Sequence, residues 1–238
     1  KNEIVILTAT SGDTGKGSYG RLLLMLRGTQ IIVFLSKEWC QPDSGEADAY
    51  TKGCQYSCSG YSLATFDQAQ SAVKAMFNDK ALAETMDAAG YQFSSANSIN
   101  IGRLVPQIVY YVYAYSKLFA QGAVAKDEKI NIVVPTGNFG NILAAFYAKN
   151  MGLPVAKLIC ASNENKVLYD FFTTGEYDKN REFILTNSPS MDILISSNLE
   201  RLIYRIAGND ANKNAQLMAS LAKDGKYTVT PEMKENAF

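Results

Sequence analysis

EIVILTATSGDTGKGSYG, Glu3 to Gly20, runs from an unbroken apolar stretch into a turn of Ser, Gly, Asp and Thr. Glu3 to Ala9 reads as a buried strand. Lys16 to Arg27 spaces Leu22, Leu23, Met25 and Leu26 as the apolar face of a helix that stops at Gly28. Unpaired N–H groups at the start of such a helix point toward whatever negative group docks there, so Ser11, Gly12, Asp13, Thr14 and Gly15 form a candidate anion-binding turn. Gly15, Gly17 and Gly20 also fit the G-x-G-x-x-G dinucleotide fingerprint, with Glu38 placed as a ribose-binding acid near the end of the next strand. That fingerprint should begin where the strand ends, yet Thr10 to Thr14 intervene. A Walker loop is excluded, because Gly15-Lys16 would need a glycine where Thr10 stands. An ordinary strand-to-helix turn rich in small residues accounts for the segment equally well.

A second turn of the same kind strengthens the anion reading. Lys129 to Pro135 (KINIVVP) is another apolar strand, and it runs directly into Thr136-Gly137-Asn138-Phe139-Gly140-Asn141 and a helical stretch, Ile142 to Lys149. Two glycines with small polar neighbours let backbone N–H groups close around a phosphate, and a neutral Asn adds a donor. Between and after these turns the chain alternates. Helices are expected at Phe66–Asn78, Lys80–Ala89, Ile101–Gln121, Glu164–Thr173, Ser197–Ala207 and Asn212–Lys223, and strands at Val155–Ala161 and Glu182–Thr186. Strands separated by helices imply an α/β, doubly wound parallel sheet with ligands at the carboxyl ends of its strands, where both glycine turns lie.

The motifs ATSGDTG (Ala9–Gly15), SANSIN (Ser95–Asn100), PTGNFGN (Pro135–Asn141), MGLPV (Met151–Val155), SMDI (Ser190–Ile193) and SNLERL (Ser197–Leu202) follow one another in this order. The set resembles the threonine synthase family, pyridoxal-phosphate enzymes of the tryptophan-synthase β-like fold type II. The resemblance implies two doubly wound, mainly parallel sheets, here incomplete. Residues 1–93 would form a smaller domain with the SGDTG turn, and 94–238 part of the larger domain that binds pyridoxal 5'-phosphate. Gly137, Asn138, Phe139, Gly140 and Asn141 would hold the cofactor phosphate. Ser11 to Gly15 would meet the substrate carboxylate and the cofactor ring, and Asn97, Ser98 and Asn100 the substrate phosphate. The family turns O-phosphohomoserine and water into threonine and phosphate, as a monomer or homodimer.

Two departures qualify that picture. The family carries its Schiff-base lysine in a Phe-Lys-Asp motif, which this sequence lacks; Lys1 and Lys16 stand in other contexts, so no catalytic residue is assigned. The chain is expected to be an inactive fragment of a longer enzyme. Lys37 to Ser62 is polar, holds the only Trp and three of the four cysteines, and lacks the apolar period of a strand or helix. Permitted codons for Glu38 to Tyr50, read one nucleotide later, give NGVSPIQEKQML, and those for Gln55 to Tyr61 give the strand-like NIHVVAI. The segment therefore reads as out of frame, with poor local order expected.

Charge and composition exclude other classes. With 23 basic and 23 acidic residues the net charge is zero, which offers no attraction to nucleic acid or an anionic membrane. Cys40, Cys54 and Cys58 lack paired spacing and the chain has no histidine, so no metal site is expected and a reducing, cytoplasmic setting fits. The apolar stretch Leu104 to Phe119 is broken by Gln107 and Lys117 and is short for a bilayer. Its Val105, Ile108, Val109, Val112, Leu118 and four tyrosines read as core and interface packing. Asp192 reads as a turn or cap residue, Cys160 as a core residue, and Arg103 as either a phosphate contact or a surface charge. Two other functional readings stay open: an NAD-type regulatory module on Gly15, Gly17 and Gly20, and a binding-only relative of the pyridoxal-phosphate fold.

Overall fold

A computed structural model describes residues 2–10, 28–36, 56–61, 66–188 and 191–235. They divide into two units, Lys1–Asn100 and Ile101–Phe238.

The first unit is built on a four-stranded sheet in the order β3-β2-β1-β4, with β1 Glu3–Thr10, β2 Thr29–Ser36, β3 Tyr56–Tyr61 and β4 Tyr91–Ser95. Every pairing is parallel, and Leu7 of β1 lies between Ile32 of β2 and Ser95 of β4. A central parallel strand is covered on both faces, which is why EIVILTA reads as a continuous apolar run: residues 5–9 are all buried. Helix α1, Phe66–Asn78, lays Val73 on Val5, Leu7, Ala9 and Phe34. Helix α2, Lys80–Ala88, starts at Asp79, whose carboxylate accepts the Leu82 N–H at 3.0 Å. The domain line expected at Phe93 passes through β4, and the pairing of β4 with β1 keeps that strand in the first unit. YSCSGY forms β3 although it lacks an apolar period; an edge strand needs only one ladder partner, here β2.

In the second unit the expected helix Ile101–Gln121 is broken. It forms α3, Ile101–Leu104, a 3-10 turn, Val105–Gln107, and α4, Ile108–Ala120. Pro106 has no N–H to donate to the helical ladder, and the break falls on it. Strand β5, Ile130–Pro135, pairs in parallel with β6, Val155–Ala161, and helix α5, Gly140–Asn150, connects them. α5 is the centre of this unit, with Ile142, Leu143, Ala144, Ala145 and Ala148 all buried. Packed around it are α6, Val167–Thr174, and α7, Leu199–Ile206, which buries Leu199, Leu202, Ile203 and Ile206 at helical spacing. Strand β7, Glu176–Asp178, pairs antiparallel with β8, Lys226–Thr228, after α8, Ala211–Asp224; α9, Pro231–Glu235, follows.

Two expectations are corrected here. Of the stretch read as core and interface packing, the core part is small: Val105 in the 3-10 turn and Val109, Tyr110, Val112 and Tyr113 of α4 are exposed among the described residues, while Ile108 and Tyr111 pack against the core. Helix α4 is apolar nearly all round, so the sequence pattern does not select a face. Glu182–Thr186 is not a strand. Its backbone groups are taken by side chains: Asn165 binds the Ile184 N–H at 3.0 Å and the Ile184 carbonyl at 2.7 Å, and Asp192 accepts the Thr186 N–H at 2.8 Å. No helix among the described residues is long and apolar enough to cross a membrane.

Candidate functional site

The turn between β5 and α5 is shaped by four fixed points. At its entry the Thr136 N–H donates to the Ala161 carbonyl at 2.8 Å and its hydroxyl to the Val134 carbonyl at 2.7 Å. Ser196 Oγ then donates to the Gly137 carbonyl at 2.6 Å. Asn198, fully buried, donates its backbone N–H (3.1 Å) and its Nδ2 (3.0 Å) to the Asn138 carbonyl. Phe139 caps α5 in the left-handed region at φ 63°, with its ring buried and 5.9 Å from that of Phe172.

These tethers sort donors from acceptors. In a trans peptide the C=O and the next N–H point in opposite directions, so holding the carbonyls of 137 and 138 on the Ser196–Asn198 side turns the N–H groups of 138 and 139 away from it. The left-handed residue followed by the first helical turn curves successive N–H groups into a concavity. Among the described residues, none of the six N–H groups from Gly137 to Ile142 has an acceptor. Asn138 Oδ1 and Ser197 Oγ are likewise buried without a partner there. Among the described residues, these amide donors without acceptors stand at the positive end of an 11-residue helix, where an anion is favoured. Gly137, Asn138, Phe139, Gly140 and Asn141 make up this turn and the start of α5.

Asn141 differs from its neighbours in one respect. Its side chain is occupied: Oδ1 and the main-chain carbonyl accept the Tyr111 hydroxyl, and Nδ2 donates to Gln107 Oε1 at 3.0 Å. Burial pushes the Tyr111 hydroxyl up to about 12, which keeps it a donor.

Ser11 to Gly15 lie outside the described residues, as do Gly17, Gly20 and Glu38. The SANSIN residues lie at the end of the first sheet. Asn97 is buried, and its side chain pairs with the peptide of Ala9, accepting the N–H at 2.9 Å and donating to the carbonyl at 2.6 Å. Asn100 Nδ2 donates to the Ser95 carbonyl at 3.0 Å. SANSIN therefore grips the end of β1, the strand that continues into SGDTG. Ser98 lies in the same turn.

Asp192 takes a structural place. It is buried and accepts from Asn163 Nδ2 (2.6 Å), Asn165 Nδ2 (3.1 Å) and the Thr186 hydroxyl (2.8 Å) besides the Thr186 N–H. Cys160 packs against the core, and burial raises its thiol against a hydrogen bond with Thr136 that lowers it. The carbonyl of Arg103 accepts Gln107 Nε2 at 2.8 Å. Ser196 and Asn198, which shape the anion turn, carried no role in the sequence reading. Their signal was the run Ser196-Ser197-Asn198 before a strongly amphipathic helix: polar residues there bind backbone groups.

No protein-family model matches the chain. It is similar to threonine synthase-like 1 of Homo sapiens, 43% identical over 229 residues that cover 91% of this chain and 29% of that protein. It is similar to threonine synthase of Saccharomyces cerevisiae, 36% identical over 250 residues covering 100% and 46%. Among solved structures, the PLP-bound threonine synthase from Brucella melitensis matches with a TM-score of 0.79 at 35% identity, over 99% of this chain and 48% of that one. The chain spans less than half the length of each of these three relatives. With the α/β fold and the parallel sheets in agreement, the chain belongs to the family of threonine synthases and threonine synthase-like proteins.

Proposed function

We propose that the Thr136–Asn141 turn holds the phosphate of pyridoxal 5'-phosphate, and that the chain is the cofactor-phosphate portion of a threonine synthase acting on O-phosphohomoserine. The observation that carries this is the run of six amide donors without acceptors among the described residues, fixed by Ser196 and Asn198 from behind. A phosphate dianion takes several N–H bonds at once, and the helix dipole favours it. The cofactor, when bound, supplies the electron sink that stabilises carbanions while the substrate phosphate leaves. The protein's residues bind and orient. Gly137 to Ile142 would hold the cofactor phosphate; the family resemblance gives Ser11 to Gly15 the substrate carboxylate, and Asn97 is tied to the Ala9 peptide in the first unit. Ser98 and Asn100 remain with the substrate phosphate. The 238 residues contain no Phe-Lys-Asp motif, so this chain alone is expected to bind the cofactor without turnover.

Equilibrium dialysis of the chain against pyridoxal 5'-phosphate and against NAD tests the proposal. Retention of the first and not the second is expected; retention of NAD alone would replace this reading with that of a nucleotide-binding module. Supplying the Phe-Lys-Asp segment of a relative and assaying threonine release from O-phosphohomoserine separates a synthase from a binding-only relative.

A further inference from the structure

We propose that Tyr111 and Gln107, on an element remote in sequence from the anion turn, are its positioning residues. They lock Asn141 so that the first turn of α5 presents its N–H groups in a preset cradle. The inference rests on the phosphate-turn reading and adds residues to it. Tyr111 begins the second turn of α4, and its hydroxyl reaches both the main-chain carbonyl of Asn141 at 3.2 Å and the side-chain oxygen. Gln107 closes the 3-10 turn that Pro106 imposes and accepts Asn141 Nδ2 at 3.0 Å, while its own Nε2 is held by the Arg103 carbonyl at 2.8 Å. Asn141 thus has its amide donor and acceptor tied from outside α5, a commitment that a surface residue at a helix start does not need.

The consequence is a division of labour within the turn. Asn141 contributes its backbone N–H to the anion and its side chain to the scaffold, while Asn138 Oδ1 has no partner among the described residues. The break at Pro106 gains a purpose: an uninterrupted helix from Ile101 to Ala120 would carry Gln107 on a different path. The hydroxyl of Tyr111 stays protonated through the neutral and mildly alkaline range, so no anion forms beside the phosphate.

The test is differential binding to the 238-residue chain, using pyridoxal 5'-phosphate, pyridoxal and inorganic phosphate as probes, with thermal midpoints measured alongside. Loss of a preset hydrogen bond corresponds to about a tenfold change in affinity. Tyr111→Phe and Gln107→Ala are each expected to weaken pyridoxal 5'-phosphate and inorganic phosphate by about that factor, while pyridoxal changes less than about twofold. Tyr113→Phe, on the exposed side of the same helix, should change none of them. Equal weakening of pyridoxal and its phosphate, or unchanged phosphate affinity, overturns the positioning role while leaving the phosphate turn standing. A wild-type chain that does not prefer the phosphorylated form overturns both. If Tyr111→Phe unfolds below the assay temperature, Asn141→Ala with the same three probes takes its place: selective loss of the phosphorylated probes supports the positioning role, and uniform loss or none overturns it.

Discussion

Phe139 sets two opposing effects against each other on one residue. A left-handed φ costs an L-residue about 1–2 kcal/mol relative to glycine. The ring, 5% exposed and against Phe172, contributes more: removing a buried Phe typically costs about 3–5 kcal/mol once the cavity is included. Packing wins, so Phe139→Gly should destabilise the chain by roughly 2 kcal/mol despite relieving the backbone. Urea unfolding measures it, and a stabilised variant would show that the ring is not an anchor. Ser196→Ala touches the same turn from behind. Its hydrogen bond to Gly137 is worth about 1 kcal/mol to stability, and the freed peptide should weaken binding of pyridoxal 5'-phosphate several-fold. Dialysis on both proteins checks it; unchanged affinity would mean that the turn keeps its shape without this tether.

At the scale of elements, helix ends show how a close neighbour changes the effect of one substitution. Gly225 ends α8 at φ 75°, and a Cβ there would overlap the carboxamide of Asn180, which donates to the Asp224 carbonyl at 2.8 Å. Gly208 has nearly the same φ, 76°, with open space around it. Gly208→Ala should therefore cost only the backbone penalty of about 1 kcal/mol. Gly225→Ala should cost about 1 kcal/mol more, since Asn180 must swing away and lose its bond. In an Asn180→Ala background the two alanines should become equal, and a difference that persists would place its cause elsewhere. Elements whose shape comes from main-chain ladders were the legible ones: EIVILTA is apolar because its central parallel strand is buried at residues 5–9, KINIVVP buries Val134 while leaving Val133 exposed, and a glycine turn follows each at once. Glu182–Thr186 was not legible, because Asn165 and Asp192 replace the ladder that its Phe183, Ile184 and Leu185 suggest. Nor were β7 and β8, three residues each and paired across about fifty positions, too short to show a period.

Across the molecule, each unit was legible as a parallel α/β arrangement, but the polar side chains that shape the candidate site were visible only as residue types. Nothing in the spacing of Ser196, Asn198, Gln107 and Tyr111 announces that they converge on residues 137–141, since contacts of long sequence separation leave no local pattern. One property of the second unit as a whole follows from such burial. Tyr111 ionises near 12 in the folded chain, against 10.0 when free, and the hydroxyl of Tyr227 is raised further by burial, with Tyr177 and Glu200 adding to it. In both cases the folded state keeps a proton that the unfolded chain releases. Their contribution is complete below pH 10 and drains away as the pH rises through the folded values. Denaturant midpoints should therefore hold steady toward pH 10 and fall between 10 and 12, with Tyr111→Phe making the fall shallower. Absorbance of ionised tyrosine, followed in the same range, should show these hydroxyls titrating with unfolding. Titration of all fourteen tyrosines before the midpoint moves would mean that neither hydroxyl is shielded.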